Sequence, residues 1–338
     1  MTSADRREGL ASPQDPAAGV AVVDELEGDV TSVARLYYLD GLGQQEIAGM
    51  IGVSRSTVSR LLTAARERGI VRISVDPYDP RDAALEQRLV DRFHLRHAVV
   101  IRTPGRTAET VRRTVGYYAA AAVAERFQPG QTMGLAGGRT LYELVHAFAA
   151  SDPPIKPRVV QLMGNIGPTA NAIDATELSR VLASRFDGTF YTLNAPAFAG
   201  DRRTRDVFTD HEHIRTVRAL FDALDMALVG IGSLDESAFV ERGVLTAADF
   251  ATLRKAGAAG EICGRFYDRS GRECETDYRD RVISVELDKL RHCQEVVGVT
   301  NGPRRAQAVL AALQGRLVNS LVIDQQGADA LLAEGHER

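Results

Sequence analysis

The stretch Gln44–Leu62, QQEIAGMIGVSRSTVSRLL, decides how the first part of the chain folds. Apolar Ile47, Ala48 and Ile51 recur at helical spacing, Gly52 interrupts them, and a second periodic run follows with Val58, Leu61 and Leu62. Ala48 is small where two crossing helices touch, Gly52 supplies a positive φ for the turn, and Ser54 stands where it N-caps the second helix. The spacing predicts a helix-turn-helix. Arg55, Ser56, Thr57, Ser59 and Arg60 occupy the first two turns of its second helix, the end that a recognition helix presents to the major groove. Arginine pairs bidentately with guanine, while Ser and Thr reach phosphates or base edges. With Gln45 and Ser54 these are the candidate contacts to double-stranded operator DNA. A helical hairpin with a solvated Arg/Ser face has the same composition. Charge favours the DNA reader, because six arginines between Val30 and Val75 face only Asp40, Glu46 and Glu67, whereas the whole chain carries −4.

Outward from this motif, residues 1–28 mix Ser, Asp, Pro, Gly and Ala without periodicity and read as a mobile tail. The DNA-binding domain is expected over 29–76. Val33, Leu36, Tyr37 and Leu39 give it a support helix, and the alternating run Ile70–Val75 predicts a strand or wing after the recognition helix. The turn Asp76-Pro77-Tyr78-Asp79-Pro80 opens a linker helix over 77–95, where Leu85, Leu89 and Phe93 repeat every four residues. That helix either packs on the domain that follows or pairs two subunits. Residues 96–338 are left for effector binding and oligomerisation.

A chain of 338 residues that is 44% hydrophobic can build one large core and a small satellite domain, or two cores of similar size. Cys263, Cys274 and Cys293 have no metal-ligand spacing and are odd in number, so neither a metal, a cofactor nor a disulfide framework is expected. The first residues are charged rather than apolar, and no run approaches the roughly 20 apolar residues of a membrane span. The expectation is a cytoplasmic protein that does not engage a membrane.

After residue 96 short β-branched runs alternate with long helical stretches. Strands are expected at Ala98–Arg102, Thr132–Leu135, Arg158–Met163, Thr189–Leu193, Met226–Ile231, Val282–Leu287, Glu295–Thr300 and Leu317–Ile323. Helices are expected between most of them, including Ala108–Phe127, Arg139–Ala149, Asp174–Phe186, Arg205–Leu224, Thr246–Lys255, Arg304–Gln314 and Gln326–Ala333. Such alternation predicts an α/β domain with a mostly parallel sheet, covered on both faces, that binds ligands at the carboxyl ends of its strands.

Several glycine-bearing strand ends are candidates for that site. Gly137-Gly138-Arg139-Thr140 runs from strand to helix, so backbone N–H groups and the Arg139 and Thr140 side chains can face an anion; a tight turn alone explains it too. Asn165 and Asn171, after the Met163-Gly164 strand end, suit hydroxyl groups. The stretch Val229–Ser233 reads more simply as a buried strand with a turn. Glu261 accepts from hydroxyls or pairs with Arg265, and Arg305 stands at a helix start, where positive charge is unfavourable unless an anion binds.

These loops and their order resemble the SorC family of bacterial sugar-responsive transcriptional regulators. The resemblance runs from about Val30 to the C-terminus and is carried by the helix-turn-helix, GGRT at Gly137–Thr140, VVQLMGNIG at Val159–Gly167, LVGIGS at Leu228–Ser233, GEICGRFYD at Gly260–Asp268 and the NGPRRAQAVLAAL region. It implies a sugar-binding domain similar in fold to sugar-phosphate isomerases, a small sugar or sugar-phosphate effector, and a homodimer or homotetramer. Two positions depart from the family pattern: Asn301 stands where a second glycine is common, and Arg305 where lysine is common. The rival reading is a sugar-phosphate isomerase or deaminase with an appended DNA-binding module. It needs a carboxylate base such as Glu261 and an acid partner, and no histidine falls in the glycine loops to be that partner.

Overall fold

The computed structural model describes residues 29–75 and 78–334, so the expectation of a mobile tail at 1–28 lies outside the described residues. Two compact units divide between Tyr78 and Asp79.

The first unit is three helices: α1 over 29–38, α2 Gln44–Ile51 and α3 Arg55–Glu67. Val33, Ile47, Ala48, Val58 and Leu62 form its core. Gly52 holds φ 72° at the turn, a conformation glycine adopts without a steric penalty, and the Ser54 hydroxyl accepts from the Thr57 N–H at 3.1 Å to cap α3. The expected wing is not a strand. Val71 packs against the α1–α3 contact, but Ile73 and Val75 are 60% and 82% exposed, and residues 70–75 have no partner strand among the described residues. Alternation alone does not make a strand without a ladder to join.

The second unit contains a seven-stranded sheet in the order β1-β9-β8-β5-β2-β3-β4, with every pairing parallel. Its strands are β1 His97–Ile101, β2 Thr132–Leu135, β3 Arg158–Gln161, β4 Thr189–Tyr191, β5 Met226–Gly230, β8 Glu295–Val299 and β9 Ser320–Asp324. All five residues of β8 and of β9 are buried. Successive side chains point to opposite faces, so both faces of the sheet are covered, as in doubly wound folds. From β2 the chain winds outward to β3 and β4, then returns to β5 on the other flank of β2. This reversal leaves a crevice between β2 and β5 at the carboxyl ends.

The helices around the sheet begin where polar caps allow. Asp82 caps α4 Ala83–Phe93, Thr107 caps α5 Ala108–Ala124, and Thr246 caps α11 Ala247–Lys255. Further helices of this unit include α6 Arg139–Ala147, α7 Ala175–Arg185, α13 Ala306–Gln314 and α14 Gln325–Glu334. The helix expected as a linker over 77–95 is α4, and it is built into the second unit: Leu85 and Leu89 are buried in the large core, and Arg81 and Glu86 tie it to β1 through the Val100 N–H.

Two further expectations are corrected. Val282–Leu287 is not a sheet strand. It is an extended segment crossing antiparallel over Met163 and Phe198, with the Val285 N–H donating to Leu162 O at 2.7 Å, and helix α12 Leu287–His292 starts at its end. The helix expected over Arg205–Leu224 breaks at His211 into α8 Arg202–Asp210 and α9 Glu212–Ala219. Where no element is expected from sequence, residues 260–267 form a hairpin, β6 Gly260–Ile262 with β7 Arg265–Tyr267, turned by Cys263 and Gly264 at φ 52° and 75°.

The placement of α4 predicts that Leu89→Ala, at a fully buried position, costs the fragment starting at Asp79 about 2–5 kcal/mol in urea unfolding. A cost under about 0.5 kcal/mol contradicts its role in the core.

Candidate functional site

In the first unit, Arg55, Ser56, Ser59 and Arg60 are exposed along one end of α3, with Thr57 partly buried. The Ser54 hydroxyl lies 2.8 Å from those of Ser56 and Thr57, and Arg60 Nη2 donates to Thr57 Oγ1 at 3.4 Å, so the polar groups of the first turn order one another. Gln45 is exposed at the start of α2. The seven residues singled out from sequence therefore share two adjacent helix starts.

In the second unit, a pocket of about 110 Å³ lies at the carboxyl ends of β2, β3, β5 and β8, several times the roughly 10–15 Å³ one water needs. Gly137 and Gly138 form its floor. A Cβ on Gly137 would meet Ala175 N and Ile173 O at 2.9 Å, and Gly138 runs at φ 147°, ψ 154°, so both positions require glycine. This turn aims the start of α6 into the pocket, and no side chain caps that helix.

Four arginines line the cavity: Arg112, Arg139, Arg242 and Arg305. Arg305 Nη2 pairs with Glu236 Oε2 at 2.8 Å, its Nη1 donates to Asn301 O and Oδ1 at 3.1 and 3.2 Å, and its Nε is buried without a hydrogen-bond partner among the described residues. Burial, with Arg139 and Arg112 nearby, lowers the Arg305 guanidinium from its ordinary value against the pull of Glu236. Arg139 Nη1 reaches both Glu241 oxygens at 3.1 Å, and Arg242 pairs with Asp174. Arg112 forms no ion pair among the described residues. Thr140 Oγ1 donates to Asn301 Oδ1 at 3.0 Å, placing both side chains in the wall.

Glu261 lies across the cavity, accepting from the Gly264 N–H at 2.6 Å and from the Ser237 hydroxyl at 3.3 Å. Burial raises its carboxyl above the ordinary value, against those two donors and Arg305. Arg265 is not its partner. In the hairpin Arg265 stands opposite Ile262, so its side chain leaves on the other face from Glu261, where it binds Glu273, Val285 O and Ser284 O. Asn165 and Asn171 also lie outside the pocket. Asn165 Oδ1 accepts from Thr176 Oγ1 at 2.5 Å and lines a separate shallow cleft, while Asn171 makes the turn into α7 through Ile173 N and Asp174. Gly230, Ile231 and Gly232, taken from sequence as a plain strand and turn, form part of the pocket wall. Sequence reading also missed Arg112, Asp174, Glu236, Glu241 and Arg242, which only the tertiary fold brings to the pocket. Among the described residues no cluster of His, Cys, Asp or Glu fits a metal ion, and no helix is long and apolar enough to cross a membrane.

A helix-turn-helix followed along the chain by a domain of this kind has known counterparts. The family model described as "Putative sugar-binding domain" matches residues 80–333, and a Crp-like helix-turn-helix domain matches 34–78. The sorbitol operon regulator of Klebsiella pneumoniae is 30% identical over 309 residues, covering 90% of this chain and 97% of that protein. The chain belongs to the SorC family. The deoxyribonucleoside regulator of Bacillus subtilis is 32% identical over 302 residues, covering 88% of this chain and 95% of that protein. The crystal structure of full-length SorC from Klebsiella pneumoniae superposes with TM-score 0.73 at 31% identity, covering 90% of this chain and 97% of that one. This SorC-family protein is a DNA-binding transcriptional regulator that responds to a sugar, not an isomerase or deaminase, since its relatives are regulators.

The raised Glu261 carboxyl gives a pH test. A carboxyl whose folded value lies above its ordinary 4.5 holds its proton more tightly in the folded state, so its contribution to stability is full below 4.5 and is lost as pH rises from there through the folded value. Glu261→Gln, which keeps an acceptor for the Gly264 N–H, is expected to unfold at higher temperature than the parent at pH 7, with the gap closing towards pH 4. A parent more stable than the variant at pH 7 contradicts this.

Proposed function

We propose that the effector of this SorC-family regulator is an anionic sugar phosphate held in the β2–β5 crevice. Its phosphate lies against the first turn of α6 with Arg139, Thr140, Arg112 and Arg305 around it, and Glu261 faces a sugar hydroxyl. The single observation that carries this reading is the convergence of an uncapped helix start with Arg112, Arg139 and Arg305, one of them without a counter-charge among the described residues. Like charges gathered at a helix N-terminus repel one another and the helix dipole, and a phosphate relieves both. Occupancy then alters how tightly the helix-turn-helix holds its operator.

We further propose that α3 reads the operator, with Arg55 and Arg60 on bases or phosphates and Gln45, Ser54, Ser56, Thr57 and Ser59 in support. One such helix reads a half-site, so two copies bind each operator, and the unit beginning at Asp79 holds them together as a homodimer or within a homotetramer.

Two experiments test these proposals. Thermal unfolding with phosphosugars, each beside its dephosphorylated form, is expected to respond to the phosphorylated member alone. A ligand at 100 times its Kd adds about 2.7 kcal/mol, and Arg305→Ala weakens binding about 10- to 100-fold, the scale of a charge-assisted hydrogen bond. A neutral polyol that stabilises the parent and Arg305→Ala alike would overturn the phosphate assignment. In operator titrations at fixed salt, Arg55→Ala and Arg60→Ala are each expected to cost about 1–3 kcal/mol with two protomers bound per operator. Unchanged affinity in the double variant, or one protomer per site, contradicts the DNA reading.

A further inference from the structure

Resting on the reading of the crevice as an anion site, we propose that Glu236 and Glu241 stand in for the ligand's phosphate when the site is empty, so that only a ligand bringing its own anion opens it. Both carboxylates come from one short stretch after β5: Glu236 ends the turn Leu234–Glu236, and Glu241 ends α10 Ala238–Glu241. Each engages an arginine that the phosphate would use, Glu236 on Arg305 at 2.8 Å and Glu241 on Arg139 at 3.1 Å. A phosphate offers the same pair of oxygens to a guanidinium as a carboxylate does, so the exchange preserves every charge-assisted bond on the arginines.

The surroundings are arranged for that exchange. Asn301 keeps Arg305 Nη1 in place through two hydrogen bonds that do not involve Glu236. Arg304, whose side chain is 86% exposed, already lies 3.8 Å from Glu236 and receives its carboxylate on leaving. Arg242 anchors the end of the stretch independently, on Asp174 and on Thr169 O at 3.0 Å. Of the ties holding residues 236–242 over the pocket, the Glu236–Arg305 and Glu241–Arg139 pairs therefore go to the anion's own partners, whereas Arg242 on Asp174, the Ser237 hydroxyl on Glu261 and the buried Phe239 do not.

Glu236 is thereby a specificity-determining residue. A neutral sugar that pushes it aside leaves the Arg305 side chain, 14% exposed, without a counter-charge; a phosphosugar does not. Discrimination comes from the competing carboxylate as much as from the arginines.

The test is calorimetric titration of the full chain with inorganic phosphate. Glu236→Gln is expected to bind phosphate about fivefold more tightly than the parent, the scale of one partly exposed ion pair. Glu241→Gln, at the more exposed pair, is expected to gain about twofold, and it guards against a Glu236 variant that folds poorly. Hydrogen exchange of residues 234–242 in the parent is expected to quicken on saturation with phosphate. Phosphate affinity that falls or stays level in both variants, or exchange that slows, overturns the stand-in role while the anion site itself stands. Absence of phosphate binding by parent and variants together overturns the anion site as well.

Discussion

At Gly138 the backbone runs at φ 147° and ψ 154°, a region essentially reserved for glycine, and at Gly137 it passes so close to Ala175 N and Ile173 O that a Cβ would sit 2.9 Å from each. Together these residues bring the chain off β2 and into α6 with the helix start facing the crevice. Any other side chain at either position adds strain of about 1–3 kcal/mol and moves that helix start. Where the sheet reverses between β2 and β5, this turn sets what the crevice presents to a ligand: amide hydrogens and Arg139 from one side, Glu261 and Arg305 from the other.

The charges of the crevice are nearly balanced, and burial decides which of them matter. The Arg139–Glu241 pair is about half exposed and contributes little to stability, about 0–1 kcal/mol. Arg242–Asp174 and Arg305–Glu236 are largely buried on at least one side, so breaking either without a replacement is costly. In the unliganded protein Arg139, Arg242 and Arg305 are thus each paired with a carboxylate, and Arg112 forms no ion pair among the described residues. On the proposed reading, a ligand is selected by what it offers in place of a carboxylate, and the same exchange loosens the stretch that follows β5.

Much of this was legible in the sequence because the signals were local. Gly52 and Ser54 dictate the helix-turn-helix by their own backbone preferences, and short β-branched runs such as Glu295–Val299 give parallel strands buried on both faces. The glycine pair at 137–138 marks the pocket for the same reason. What stayed hidden depends on direction rather than composition. Glu261 and Arg265 look equivalent along the chain, yet the hairpin turn at Cys263-Gly264 sends them to opposite faces. Asn165 follows two pocket residues, Met163 and Gly164, but points to Thr176 instead. Arg112 and Glu236 meet Arg305 only through the tertiary fold, and nothing in their neighbours signals it. The run at 70–75 carries a strand's pattern and lacks a partner, so pattern alone misleads there.

The central claim is that an anion in the β2–β5 crevice controls the grip of α3 on DNA. Its most direct test is fluorescence anisotropy of labelled operator bound to the full chain, titrated at constant ionic strength with a phosphosugar that binds the protein and with its dephosphorylated partner. The account predicts that the phosphosugar shifts the operator affinity, that its neutral partner at equal concentration does not, and that Arg305→Ala abolishes the shift. An equal shift from the neutral sugar, retained in Arg305→Ala, would contradict it.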